Sequence, residues 1–131
     1  MEIKRKKTSG SISVKRLVKS FGYAVGGLRQ VVCQEQNARV HLLVALCTVV
    51  AGCCFRISAT EWIAVLLAIG GVMAAETFNT SIEALSDTVS SKYSENIKQV
   101  KDFAAGAVLI VALAAVIVGL IIFLPKIIAL F

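Results

Sequence analysis

Residues 76–87 read ETFNTSIEALSD. They follow directly on an apolar run, residues 62–75, that contains no charged side chain. If one helix continues through both stretches, Asn79, Glu83 and Asp87 all fall within about 60° of Glu76 around the helix axis. Ionisable side chains are costly in lipid, so this polar face should meet cations, water or a polar ligand.

A simpler interpretation is that residues 76–87 only mark the place where a membrane helix emerges into water. That would account for polarity in general. It does not account for polar residues confined to one side while Phe78, Ile82 and Leu85 point elsewhere. We therefore treat the polar face as a candidate site.

The composition predicts an all-α integral membrane protein. Hydrophobic residues make up 57% of the 131-residue chain, and the mean hydropathy is +0.81, whereas soluble domains are roughly 45–50% apolar. A spanning helix needs roughly 20 apolar residues. Three segments approach that length, and they predict membrane helices at about 37–56, 61–87 and 101–124 within a single domain, residues 1–131.

The N-terminal third has a different pattern. Residues 1–12 are basic and contain Ser and Gly, so we expect them to be disordered. Residues 13–34 repeat apolar side chains at helical spacing, with lysine and arginine on the opposite side. This pattern predicts a helix that lies in the membrane interface. We expect no cleaved signal peptide.

The distribution of positive charge predicts the orientation. Of the 14 Lys and Arg residues, nine precede the first apolar run, which begins at Val40, and three lie between the second run and the third, which begins at Phe103. Cytoplasmic loops are enriched in Lys and Arg. The N terminus should therefore be cytoplasmic and the C terminus outside, with the polar face of residues 76–87 at the cytoplasmic surface of the membrane.

The acidic residues near this surface indicate phosphoryl transfer. Glu35 precedes the first predicted membrane helix on the same side as Glu76 and Glu83. Carboxylates gathered at one depth repel one another, and Mg²⁺, which takes few carboxylates together with water and substrate phosphates, would relieve this repulsion. The segment 92–102 adds lysines that suit phosphate. Neither a P-loop nor the protein-kinase motifs occur, so any ATP site must be of another type.

Three segments resemble one known family: QEQNAR at residues 34–39, ETFNTSIEALSD at 76–87 and VKDFAAGAV at 100–108. The combination is similar to the bacterial diacylglycerol kinases, small membrane kinases with three spans that include the undecaprenol kinases of Gram-positive bacteria. The resemblance extends from about residue 14 to residue 124. It implies a homotrimer whose protomers each contribute one surface helix and three membrane helices, with active sites shared between subunits.

The resemblance also implies roles for individual residues. Glu76 would be the general base, with Asn79 beside it, and Glu35 and Glu83 would bind Mg²⁺. The implied nucleotide-binding positions are Arg16, Tyr23, Glu35, Glu83, Asp87, Lys92, Tyr93, Ser94, Lys101 and Asp102. Many relatives have histidine where this chain has Ser94. Arg29, Glu76 and Ala105 would contact the lipid substrate.

Three functions are compared from the sequence. The first is an ATP-dependent lipid kinase acting on undecaprenol, for which the segment 37–41, NARVH, resembles the Gram-positive members, with diacylglycerol as a further substrate. The second is a small oligomeric proton-coupled transporter that uses Glu76. The third is a non-catalytic membrane subunit. We expect no nucleic-acid partner.

Overall fold

Four helices make up the fold in a computed structural model that describes residues 13–90 and 92–131. No strand occurs among these residues. The helices are α1 Val14–Gln34, α2 Gln36–Cys54, α3 Ala59–Val89 and α4 Glu95–Ile128. Three of them, α2, α3 and α4, are long and apolar enough to cross a membrane, which confirms the predicted all-α membrane fold. The disorder predicted for residues 1–12 lies outside the described residues.

The helix ends differ from the sequence-based boundaries mainly in α4. We predicted a start near residue 101, whereas α4 begins at Glu95 and runs through Pro125 to Ile128. Residues 95–100 are largely exposed, and an acidic residue in the first turn interacts favourably with the helix dipole. The apolar stretch therefore marks only the part of α4 suited to lipid, and the helix is longer than that part.

Helices α3 and α4 pack along each other, and α2 lies against α3. The core is small: Ile57, Val65 and Ile122 are buried together, and partly buried aromatic side chains surround them. Two of these, Phe55 and Phe123, have ring centroids 6.1 Å apart. This cluster joins α2, α3 and α4 at the end of the bundle far from residues 76–87.

Polar contacts fix the same end of the bundle. Ser58 and Glu61 form a capping box at the start of α3. The other Glu61 oxygen accepts a hydrogen bond from Lys126 Nζ at 2.5 Å, linking the start of α3 to the end of α4. Gly52 of α2 lies so close to Trp62 that an added Cβ would be 2.8 Å from the ring carbon Cη2. These contacts hold three helix ends together.

Burial in the single chain is the reverse of the pattern in a soluble protein. Most large apolar side chains of the membrane helices are exposed, including Leu67 and Ile110, whereas Glu76 is the largest fully buried side chain. In water this arrangement would expose an extended apolar surface. In lipid it directs the carboxylate inward and the apolar surface toward acyl chains, as a membrane protein requires.

Candidate active site

Two acidic residues and one amide form the centre of the candidate site on α3. Glu76 is 2% exposed and Asn79 is 8% exposed. The Asn79 amide nitrogen donates a hydrogen bond to Glu83 Oε1 at 3.1 Å. An ionised carboxylate only accepts hydrogen bonds, so the amide group of Asn79 must present its nitrogen to Glu83. Asn79 thereby fixes the direction of the Glu83 carboxylate.

The other end of the same amide is unsatisfied. Asn79 Oδ1 is buried and has no hydrogen-bond partner among the described residues. A buried carbonyl oxygen without a partner is unfavourable and requires an explanation such as a ligand, ion or water. The candidate site therefore includes one free acceptor beside its carboxylates.

Three of the four hydroxyl groups in the stretch take no part in this cluster. Thr77, Thr80 and Ser81 each donate a hydrogen bond to the backbone carbonyl four residues earlier, at 2.8, 3.0 and 2.8 Å. Such bonds satisfy a hydroxyl inside its own helix. The polar chemistry of the cluster consequently rests on Glu76, Asn79 and Glu83.

The junction between α1 and α2 contains a third acidic residue. Glu35 is the single residue between the two helices, the flanking Val31 and Ala38 are buried, and α1 also contacts α3. No group of three or more His, Cys, Asp or Glu side chains that could hold a metal ion occurs among the described residues. Mg²⁺ needs only one or two protein carboxylates when phosphates and water complete its shell. Glu35 and Glu83 offer carboxylate oxygens, which are the type of ligand that Mg²⁺ takes from proteins.

A polar cavity lies where α3 ends and α4 begins. Its volume is about 520 Å³, and its lining residues are Asp87, Ser90, Lys92, Tyr93, Ser94, Ile97, Lys98, Lys101 and Asp102. The structure thus brings together six of the positions assigned to nucleotide from the resemblance. Ser90, Ile97 and Lys98 were missed because they lie between the predicted helix end at residue 87 and the predicted helix start at residue 101, whereas α4 begins at Glu95.

Hydrogen bonds orient several of the cavity side chains. Lys101 Nζ contacts Asp87 Oδ1 at 2.5 Å, joining α4 to α3. The Tyr93 hydroxyl donates to Glu95 Oε2 at 2.7 Å. The hydrogen bond to that carboxylate raises the pKa of Tyr93 above its ordinary value. Tyr93 therefore stays protonated and keeps its donor at neutral pH.

The remaining predicted positions are not gathered at this cavity. Arg16, Tyr23 and Arg29 lie on the exposed surface of α1, and Ala105 lies on an exposed side of α4. None of them lines the cavity. Their assignment to nucleotide and lipid stays a prediction.

A second, apolar cleft of about 520 Å³ runs between α2, α3 and α4. Seventeen residues line it, and only His41 and Thr48 among them are polar. Met73, also in the lining, lies one turn before Glu76 on α3. An apolar cleft therefore leads along the membrane helices toward the buried carboxylate.

The sequence matches the family model of prokaryotic diacylglycerol kinase over residues 22–123. The chain is 38% identical over 111 residues to the undecaprenol kinase of Bacillus subtilis, and the match covers 85% of this chain and 90% of the relative. It is 36% identical over 115 residues to a diacylglycerol kinase of Synechocystis, covering 87% of this chain and 66% of the relative. It is 33% identical over 102 residues to the diacylglycerol kinase of Escherichia coli K12, and the match covers 78% of this chain and 84% of the relative.

Three membrane-length helices, a buried carboxylate and these relatives define the chain as a small membrane-embedded lipid kinase. The chain belongs to the prokaryotic diacylglycerol kinase family, which confirms the resemblance. ATP is the co-substrate that a kinase of this family implies. No finding supports the transporter interpretation.

Proposed function

We propose that the protein transfers the γ-phosphate of Mg-ATP to the hydroxyl of a membrane lipid alcohol, with undecaprenol as the preferred acceptor and diacylglycerol as a further one. The observation on which this rests is the position of Glu76: a carboxylate 2% exposed, in a membrane-length helix, one turn beyond the lining of an apolar cleft. A lipid hydroxyl reaches that depth from within the bilayer.

Glu76 acts as the general base. It accepts the proton of the lipid hydroxyl as the oxygen attacks the γ-phosphorus. Phosphoryl transfer depends mostly on positioning and on neutralising charge. Asn79 contributes by holding Glu83 in one direction, which keeps the second carboxylate from rotating toward Glu76.

Glu35 and Glu83 are the residues that would hold Mg²⁺. When bound, this ion neutralises the charge that develops on the transferred phosphate. The buried Asn79 oxygen supports an oxygen-rich site at this place. Glu35 reaches it from the α1–α2 junction, so a movement of α1 would change the site.

The cavity between α3 and α4 is proposed to receive the nucleotide. Lys101 would meet the phosphates, and Asp87, which contacts Lys101, would orient it. Arg16 and Tyr23 on α1 are exposed in the single chain. A homotrimer in which α1 of one protomer approaches the cavity of another would complete the site, as the family resemblance implies.

One comparison supports undecaprenol as the preferred acceptor. The Bacillus subtilis relative is an undecaprenol kinase, whereas the Synechocystis and Escherichia coli relatives are diacylglycerol kinases. The apolar cleft offers a lipid chain a path between helices. The charge distribution supports a plasma-membrane location with the N terminus in the cytoplasm.

The test is ATP-dependent phosphorylation of undecaprenol and of diacylglycerol, measured side by side in bilayers with Mg²⁺. Wild type is compared with Glu76→Gln and with Glu61→Gln, which makes the same chemical change at the opposite end of α3. We expect phosphate on undecaprenol at the higher kcat/KM, loss of transfer in Glu76→Gln and retention in Glu61→Gln.

Equal transfer by wild type and Glu76→Gln would refute the role of Glu76. A higher kcat/KM for diacylglycerol would reverse the order of acceptors. No transfer to either lipid by folded protein, together with cation movement across vesicles, would favour the transporter.

A further inference from the structure

Lys98 is a third lysine at the proposed nucleotide cavity, besides Lys92 and Lys101. It lies on α4 three residues before Lys101, and residues at this spacing are neighbours on a helix surface. Two like charges side by side on one helix are unfavourable unless each has an anionic partner. The arrangement of the aspartates provides those partners.

The two ion pairs at the cavity differ in kind. Lys101 Nζ meets Asp87 across the α3–α4 interface, and these side chains are 34% and 68% exposed. Lys98 Nζ meets Asp102 Oδ2 at 3.1 Å within one turn of α4, and these side chains are 54% and 62% exposed. Exposed pairs within one helix contribute little to stability. The Lys98–Asp102 pair therefore opens more easily than the pair that joins two helices.

Because it opens easily, this pair can exchange partners. A polyphosphate offers an ammonium group several anionic oxygens at once, and charge-assisted hydrogen bonds to phosphate are stronger than neutral ones. Lys98 needs only to rotate its side chain to leave Asp102 for such an anion, since both residues line the same cavity. The exchange also frees the Asp102 carboxylate.

We propose that Lys98 is a further nucleotide-binding residue, which leaves Asp102 and binds the polyphosphate of the incoming nucleotide. This inference rests on the proposed function, because it takes the cavity between α3 and α4 to be the nucleotide site. Lys101, which Asp87 orients, binds the phosphates from a fixed position, and Lys98 provides a second positive charge that can move. No bond is made or broken in this step other than hydrogen bonds.

The experiment measures steady-state kinetics in bilayers, with the ATP concentration varied at saturating lipid and the lipid varied at saturating ATP. The variants are Lys98→Ala, Lys98→Gln, which keeps most of the aliphatic stem, and Lys98→Arg, which restores a cation. The control is Gln99→Ala, an exposed neighbour on α4 that does not line the cavity.

Loss of one charge-assisted contact should raise the KM for ATP by about 5- to 20-fold in Lys98→Ala and Lys98→Gln. The KM for lipid should change by less than about twofold, because the acceptor reaches Glu76 from the apolar cleft and not through this cavity. Lys98→Arg should return the KM for ATP to within about threefold of wild type, and Gln99→Ala should match wild type.

A KM for ATP that stays within about twofold of wild type in both neutral variants would overturn the inference, as would an equal rise in the two KM values. That failure is distinguishable from failure of the proposed function. In the first case, wild type phosphorylates lipid, Glu76→Gln does not and Lys98→Ala behaves as wild type. In the second case, wild type transfers no phosphate at all.

Discussion

Gly52 provides a direct test of the packing that joins α2 to α3. A Cβ at this position would lie 2.8 Å from Trp62 Cη2, 3.0 Å from Trp62 Cζ2 and 3.1 Å from Ile57 Cδ1. Contacts below about 3.4 Å lie inside the optimal carbon–carbon separation. The Trp62 ring cannot move away freely, since it packs against the buried cluster of Ile57, Val65 and Ile122.

The expected cost of Gly52→Ala follows from these distances. Extra atoms forced into a packed core cost about 1–3 kcal/mol, while replacing a helical glycine by alanine returns about 1 kcal/mol of helix propensity. Three simultaneous close contacts place the steric term toward the upper end. We expect a net loss of about 1–2 kcal/mol in the free energy of unfolding.

The assay is reversible unfolding in mixed micelles, followed by the fluorescence of Trp62, the only tryptophan in the chain, and by circular dichroism. Because Trp62→Phe removes the ring carbons that the new Cβ would meet, the double variant should lose less stability than the sum of the two single variants. That double variant is followed by circular dichroism alone. Activity per folded protein should not change, as Glu76 lies far along α3.

Two outcomes would refute the steric argument. Unfolding of Gly52→Ala at the wild-type denaturant concentration would mean that the ring shifts without cost. Additive effects of Gly52→Ala and Trp62→Phe would mean that the loss of stability arises elsewhere. Gly70→Ala is a matched control on α3, because no heavy atom lies within 4 Å of its added Cβ.

Three further substitutions test other parts of the structure. Asn79→Ala removes the hydrogen bond that orients Glu83. It should lower kcat by at least about tenfold, equivalent to about 1.4 kcal/mol, and change the unfolding midpoint little. A kcat equal to that of wild type would contradict this. Lys126→Met removes the partner of Glu61 and should lower the unfolding midpoint, and adding Glu61→Gln should recover part of that loss; no recovery would show that the pair is not coupled. Arg56 has φ 49°, so Arg56→Gly should relieve roughly 1 kcal/mol of left-handed strain, and a lower unfolding midpoint would contradict that.

The sequence was sufficient to predict which face of α3 is buried, but not where along the helix that burial ends. Glu76 and Asn79 are buried, and Phe78 and Leu85 are exposed, as helical periodicity requires. Asp87 lies at the end of α3, where its side chain is 68% exposed and turns to Lys101. The periodicity of one helix predicts the direction in which each side chain leaves the helix axis. It does not predict which other residue that side chain contacts.

Contacts between distant segments could not be predicted. The Glu61–Lys126 hydrogen bond joins residues 65 positions apart, and no periodicity in the sequence relates them. The close approach of Gly52 to Trp62 depends on the turn at residues 55–58. Lys98 lines the cavity between α3 and α4 because helix α4 begins at Glu95. Residues 95–100 were not predicted to be part of that helix, because their composition is polar.

The length of α4 relates membrane thickness to the proposed reaction. Its charge-free part, residues 103–125, spans roughly 34 Å at 1.5 Å per residue, close to the roughly 30 Å of a bilayer interior. Asp102 immediately precedes this part and Lys126 immediately follows it. A thinner bilayer is accommodated by tilting a helix, and tilting α4 would displace Lys98 and Lys101 relative to Glu76 on α3. The distance between the phosphate donor and the lipid hydroxyl would then depend on the acyl chains that surround the protein.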